Sequence, residues 1–170
     1  MENRHVIAVL VENKPGVLAR ISGMFSGRGF NIHSLAVAPT LDTKFSRMTI
    51  VTDGDEHIIE QIIKQLRKLI NVVRVQDLTD HEYVDREMIL VRVKATEDKR
   101  EEVLRITDIF RGKVVDVTPD TITLEVTGSQ SKIDAILQLL DTIGILELIR
   151  AGTVAIARGK KTSKTAGTPE

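Results

Sequence analysis

One run of residues limits the possible folds more than any other. From His5 to Val11, Val6, Ala8 and Leu10 alternate with Ile7, Val9 and Val11, so neither parity is polar after the first residue. A β-strand sends successive side chains to opposite faces, and this strand must therefore be covered on both. It leads into Glu12-Asn13-Lys14-Pro15-Gly16-Val17-Leu18, after which Val17, Leu18, Ile21, Met24 and Phe25 recur at helical spacing. Pro15 sets φ, Gly16 tolerates turn conformations that a side chain forbids, and a helix opens at about Gly16 or Val17. The first N–H groups of such a helix have no internal partner and sit at the positive end of its dipole. That turn suits the carboxylate of a small amino acid, with Asn13 and Asn31 fixing the ligand's other polar groups. A plain strand–helix turn carrying a solvated asparagine is the competing interpretation.

The remaining chain supplies the partners this strand needs. The helix is expected from Gly16 to Arg28, ended by Gly27-Arg28-Gly29 in a left-handed cap. Strands follow at Asn31–Ala38, stopped by Pro39, and at Phe45–Thr52, with Thr40–Lys44 as the hairpin turn between them. Asp55 or one of its neighbours is expected to cap a second helix in which Ile58, Ile59, Ile62, Ile63, Leu66, Leu69 and Ile70 lie at helical spacing, and Val72–Leu78 forms a fourth strand. The order β-α-β-β-α-β is the ferredoxin-like unit.

The pattern then repeats: strand Met88–Lys94, helix Glu97–Phe110, strands Lys113–Val117 and Thr121–Thr127, helix Ser131–Thr142, and a closing strand Ile145–Ile149 that resumes at Thr153–Ala157 after Ala151-Gly152. The fold class is α+β, two ferredoxin-like βαββαβ units in tandem. Residues 1–78 form the first domain, 79–85 a polar linker, 86–157 the second domain, and 158–170 a Lys/Thr/Gly-rich tail expected to be disordered. Each sheet carries helices on one face. The other face calls for docking of the second unit or self-association, and pairing of sheet edges between two copies would bury open strand edges as well.

Composition removes whole classes of function. Lysine plus arginine and aspartate plus glutamate each number 24, so no basic surplus marks a nucleic-acid footprint, and aromatics at 3% offer no stacking platform for single strands. The absence of cysteine excludes disulfides, thiolate metal sites and a cysteine nucleophile. No apolar run has the length of a membrane span and no signal-type segment opens the chain; a cytoplasmic location is expected. His5, His33, His57 and His81 show no metal-ligand spacing, and Asp53-Gly54-Asp55-Glu56 reads as a turn and helix cap rather than a calcium loop. No Ser–His–acid set or phosphate-binding glycine loop is present, so no catalytic or metal residue is assigned.

Several ungapped blocks carry a resemblance. Glu12-Asn13-x-x-Gly16-Val17-Leu18, Phe25-Ser26-x-Arg28-Gly29-Phe30-Asn31-Ile32, Leu35-x-Val37-Ala38-Pro39-Thr40 and Ser46-Arg47-Met48-Thr49 resemble the ACT domain of the regulatory (small) subunit of acetohydroxyacid synthase, also called acetolactate synthase. Ile109-Phe110-Arg111-Gly112-Lys113-Val114-Val115-Asp116-Val117-Thr118 fits the same family in the second unit. The resemblance covers about Arg4 to Arg158. It implies a chain without its own active site that activates a separate catalytic large subunit, which binds thiamine diphosphate, magnesium and FAD. It also implies feedback inhibition by a branched-chain amino acid, typically valine, held where two ACT domains pair as a homodimer. Carried onto this sequence, Asn13, Gly16, Val17 and Leu18 would come from one protomer and Asn31 and Ile32 from the other. His33 departs from the acidic residue expected there and puts the polarity near the pocket in question. A stand-alone ACT-type amino-acid sensor controlling a different partner, such as a transcription factor, remains the alternative.

Overall fold

The computed structural model describes residues 4–159. The first unit runs β1 (Arg4–Glu12), α1 (Val17–Ser26), β2 (Ser34–Pro39), β3 (Phe45–Asp53), α2 (Glu56–Arg67) and β4 (Val72–Asp77). Its sheet has the order β2-β3-β1-β4, which puts the apolar strand in the interior, antiparallel to both neighbours. Ile7, Val9 and Val11 face the helices, where they pack with Val17, Ile21, Phe25, Met48, Ile50, Ile62 and Leu66. Burial of each such aliphatic side chain contributes about 2 kcal/mol. Asp55 caps α2 by accepting from the Ile58 N–H at 2.8 Å. α1 ends at Ser26, two residues before the expected limit, because the Phe30 amide reaches back to the Phe25 carbonyl at 3.0 Å with Gly29 in the left-handed region at φ 71°.

The second unit repeats this arrangement with β5 (Tyr83–Lys94), α3 (Glu97–Ile109), β6 (Lys113–Val117), β7 (Thr121–Gly128), α4 (Gln130–Asp141) and β8 (Ile145–Ala157), in the sheet order β6-β7-β5-β8. In the first unit β2 opens at Ser34 rather than Asn31, which leaves Asn31 and Ile32 in the loop before it, and in the second unit two boundaries differ from the sequence expectation by more than one residue. The stretch assigned as a linker, 79–85, is already strand from Tyr83, because β5 pairs with β8 from Tyr83–Ala157 onward. β8 does not stop at Ala151-Gly152; it runs on through Gly152 at φ 87°, with a register shift opposite Glu87–Ile89. Most of the tail expected to be disordered lies outside the described residues; Arg158, at its start, still donates its amide to the Glu82 carbonyl at 2.8 Å.

The far end of β8 covers part of the first sheet's second face. Val6, Ala8, Val51, Leu78 and Ala155 form a separate buried cluster there, with Tyr83 and Ala157 packed against it. The joint is also hydrogen-bonded: the Thr153 amide donates to Ser34 Oγ at 2.8 Å, and Arg47 donates to the Ala155 carbonyl at 3.3 Å. Gly152 lies so close to β2 that a Cβ would stand 3.2 Å from Ser34 Oγ and 3.3 Å from the Leu35 carbonyl oxygen. Docking of the second unit thus covers the Val6 end of the doubly apolar strand.

Candidate functional site

The turn between β1 and α1 is anchored on both sides. The Glu12 amide donates to the Asn71 carbonyl at 2.9 Å, and the Asn13 amide donates to the Lys44 carbonyl at 2.7 Å. The Asn13 side chain spends its Nδ2 on the Thr43 carbonyl at 2.9 Å, so the turn is tied to the β2–β3 hairpin. Gly16 then takes φ 82°, a conformation that side chains disfavour, and this swings the chain into α1.

The helix end that results is empty. No side chain caps α1 and its first turn holds no acidic residue. The Val17 amide turns back to the Lys14 carbonyl at 3.4 Å, while among the described residues the amides of Leu18 and Ala19 have no hydrogen-bond acceptor. Two N–H groups at the positive end of a helix therefore face outward, where a carboxylate can accept from both. Leu18 is 40% exposed beside them, whereas the Val17 side chain is 5% exposed and belongs to the core, leaving it only its backbone to offer a ligand.

Asn31 and Ile32 lie elsewhere. The Asn31 carbonyl accepts from Thr52 Oγ1 at 2.6 Å, at the far end of β3, and Ile32 packs partly buried against the helix-side core. Asn13 is tied to Thr43 and Lys44, at the opposite end of the same nine-residue strand. At about 3.3 Å per residue, roughly 25 Å of strand separates them. One chain alone does not bring the two asparagines together. Both nevertheless show the same disposition: Asn31 Nδ2 is engaged with His33 Nδ1 at 3.2 Å, so each asparagine has one hydrogen bond at Nδ2 and its Oδ1 without a partner among the described residues.

β2 is an outer strand of the first sheet. β2 pairs with β3 one for one from Ser34–Val51 to Pro39–Ser46, with no bulge. The Thr40 amide donates to the Phe45 carbonyl at 2.9 Å; by the alternation of an antiparallel ladder, the amide of Val37 points away from β3 to the open edge. That edge, running from Ser34 to Pro39, is open to pairing with another strand.

Sequence reasoning missed the second recess. A cleft of about 640 Å³ opens at the joint between the units, where Arg4, His33 and Asp53 face Glu87 and Arg150. Glu87 is 4% exposed and accepts from Arg150 Nε at 2.8 Å and Nη2 at 2.5 Å. Those bonds raise the Arg150 pKa above its ordinary value, against the opposing effect of burial. The ion pair joins residues distant in sequence, and no local spacing announces it. Among the described residues no group of three or more His, Asp or Glu side chains is placed to hold a metal ion. No helix there is long and apolar enough to cross a membrane.

Comparison with known proteins decides the family. Residues 86–159 match the family model described as the small subunit of acetolactate synthase, and residues 7–74 match the AHAS small subunit-like ACT domain. The chain belongs to the acetolactate synthase small-subunit family. It is 51% identical over 158 residues to the probable acetolactate synthase small subunit of Archaeoglobus fulgidus, covering 93% of this chain and 99% of that one. It is 48% identical over 159 residues to the acetolactate synthase isozyme 3 small subunit of Escherichia coli, covering 93% and 98%. The crystal structure of the small subunit from Thermotoga maritima superposes with a TM-score of 0.83 at 38% identity, covering 92% and 98%. The expected tandem ferredoxin-like architecture with an N-terminal ACT domain is borne out, and membership in this small-subunit family places the chain among regulatory subunits of branched-chain amino-acid biosynthesis.

Proposed function

We propose that this small subunit binds a branched-chain amino acid, valine in the first instance, at a seam between two ACT domains, and through it adjusts a separate catalytic large subunit. The observation that carries the reading is the uncapped start of α1, with the free amides of Leu18 and Ala19 beside a half-exposed leucine. The effector carboxylate accepts from those amides. Asn13 Oδ1 of one copy and Asn31 Oδ1 of the other accept from its ammonium group, and Leu18 with Ile32 of the neighbour receives the isopropyl group. Selectivity among branched chains is modest, since one methylene in an apolar pocket is worth about 1–3 kcal/mol.

The catalytic chemistry belongs to the large subunit, with its thiamine diphosphate, magnesium and FAD; this chain contributes activation and feedback. Coupling is reciprocal: if valine shifts the active complex, its affinity must differ between the free small subunit and the complex by the same factor. The test is co-purification with the thiamine-dependent chain, followed by acetolactate formation with and without valine. The expected outcome is no activity from the small subunit alone, higher activity when it is added to the large subunit, and loss of that increment with valine. Asn31→Ala should weaken the valine effect by about tenfold without changing the melting temperature. Capture of a different partner, with no effect on acetolactate formation, would overturn the reading.

A further inference from the structure

We infer that His33 is a positioning residue for the effector: held by Asp53, it locks the Asn31 side-chain amide so that Oδ1 is the atom offered to the ligand's ammonium group. The inference rests on the effector reading above. It starts from hydrogen-bond inventory. Asn31 Nδ2 lies 3.2 Å from His33 Nδ1, and it donates to that nitrogen when the ring is the tautomer with its proton on Nε2. The ring proton is then on Nε2, which stands 2.9 Å from Asp53 Oδ1, a carboxylate that can only accept. Each link fixes the next. The backbone of Asn31 is pinned separately, by Thr52 Oγ1 on its carbonyl, so the amide can respond only by rotating about its own side-chain bonds.

Adding a proton to Nδ1 reverses the arrangement. Two donors would then face each other, and the Asn31 amide turns over to give Oδ1 to the ring and present Nδ2 outward. An ammonium group that met an acceptor now meets a donor, and binding weakens. Asp53 from β3 touches this ring, and the other charged groups lining the same cleft are Arg4 from β1, the Glu87–Arg150 pair and Asp134 of α4. His33 and Asp53 are both exposed at the rim of that cleft, so their substitution leaves the core intact.

The test uses the full chain and L-valine. Long-range proton–nitrogen NMR of the ring in the free protein at neutral pH should show the Nε2–H tautomer; an Nδ1–H tautomer would overturn the inference. In calorimetric titrations from about pH 8 down to about pH 5.5, wild-type affinity should fall by about tenfold, the size expected for one hydrogen bond to a charged group. His33→Asn places an oxygen acceptor where Nδ1 stood; it should keep neutral-pH affinity within about twofold and lose the His33-linked pH dependence. His33→Leu should bind about tenfold more weakly at neutral pH, and adding Asn31→Ala to it should cost little more. A merely structural histidine would predict equal damage from the asparagine and leucine variants. Wild-type affinity independent of pH, or a His33→Leu variant that binds as wild type, sinks this inference and leaves the effector site standing. Failure of the wild type to bind valine, leucine or isoleucine at any pH sinks both.

Discussion

The two units share a topology and differ at the place where it matters. In both, a central strand runs into a turn and a helix, and the sheet orders β2-β3-β1-β4 and β6-β7-β5-β8 correspond strand for strand. At α1 the turn leaves the helix end open. At α3 Thr96 likewise makes no side-chain cap hydrogen bond, but Glu97 and Asp98 bring negative charge to the first turn, Thr96 Oγ1 donates to Asp98 at 2.7 Å, and Arg100 closes the surrounding loop through the carbonyls of Thr118 and Pro119. The other two helices are served as well, α2 by Asp55 and α4 by Asp85, which accepts from the Gln130 amide at 3.3 Å. The outer edges differ in the same sense. β2 is straight and regularly paired, whereas β6 carries a register shift between Val114 and Asp116 that disturbs its edge. One fold thus presents a helix start without acidic residues in one copy and an acidic first turn in the other.

The largest effect should come from giving α1 the carboxylate that α3 already has. Gly16→Asp puts a fixed negative charge at the open amides, and like-charge contact should lower valine affinity by about a hundredfold or more. Gly16→Asn separates charge from backbone strain, since asparagine tolerates the left-handed region and brings no charge; it should retain most of the response. Calorimetry and feedback assays read both. If Gly16→Asp leaves valine binding intact, the distinction between the helix ends has no functional content. Next in size is the edge. Val37→Pro removes the amide that points away from β3 without touching the β2–β3 ladder, and should weaken self-association by at least about tenfold in sedimentation. The matching change at the β6 bulge, Val115→Pro, should leave association unchanged.

How far the sequence reveals this depends on the range of the interaction. The strand–turn–helix at Gly16, the Gly29 termination and the Asp55 cap rest on contacts within a few residues, and their chemistry is legible in the residues themselves. β5 from Tyr83 to Glu87 is not, because Asp85 and Glu87 look solvated until Gln130 and Arg150 arrive from far along the chain. Asn13 reads from the sequence as a candidate ligand residue, but its tie to Thr43 depends on how the hairpin folds back. Gly152 reads as a strand break for the same reason: only the docked β2 explains why the strand continues there without a side chain. Gly152→Val would force a branched side chain into φ 87° and against Ser34. Denaturant unfolding should show a loss of about 2 kcal/mol, and Gly152→Ala about 1 kcal/mol, if close docking holds the units together.

The smallest effect tests whether the open helix end is kept electrostatically clear. Glu12 sits just before the turn, and hydrogen bonds from Asn71 and Lys14 lower its pKa below the ordinary carboxylate value. Asp98 is lowered likewise, chiefly by Thr96. For a lowered carboxylate the stabilisation is fully present above the unfolded value and is lost as pH falls through the folded one. Melting temperatures should therefore decline below about pH 4, and Glu12→Gln or Asp98→Asn should each flatten part of that decline. The two variants part company in binding. Lys14 Nζ lies 3.1 Å from Glu12 and balances its charge beside the uncapped start of α1, where the proposed effector carboxylate sits. Lys14→Ala should leave an uncompensated carboxylate there and weaken valine binding by about twofold at low salt, an effect that disappears as salt is raised. Adding Glu12→Gln should restore it. Asp98→Asn should not move valine affinity at any salt concentration, because it lies at the start of α3 in the other unit, away from the proposed site.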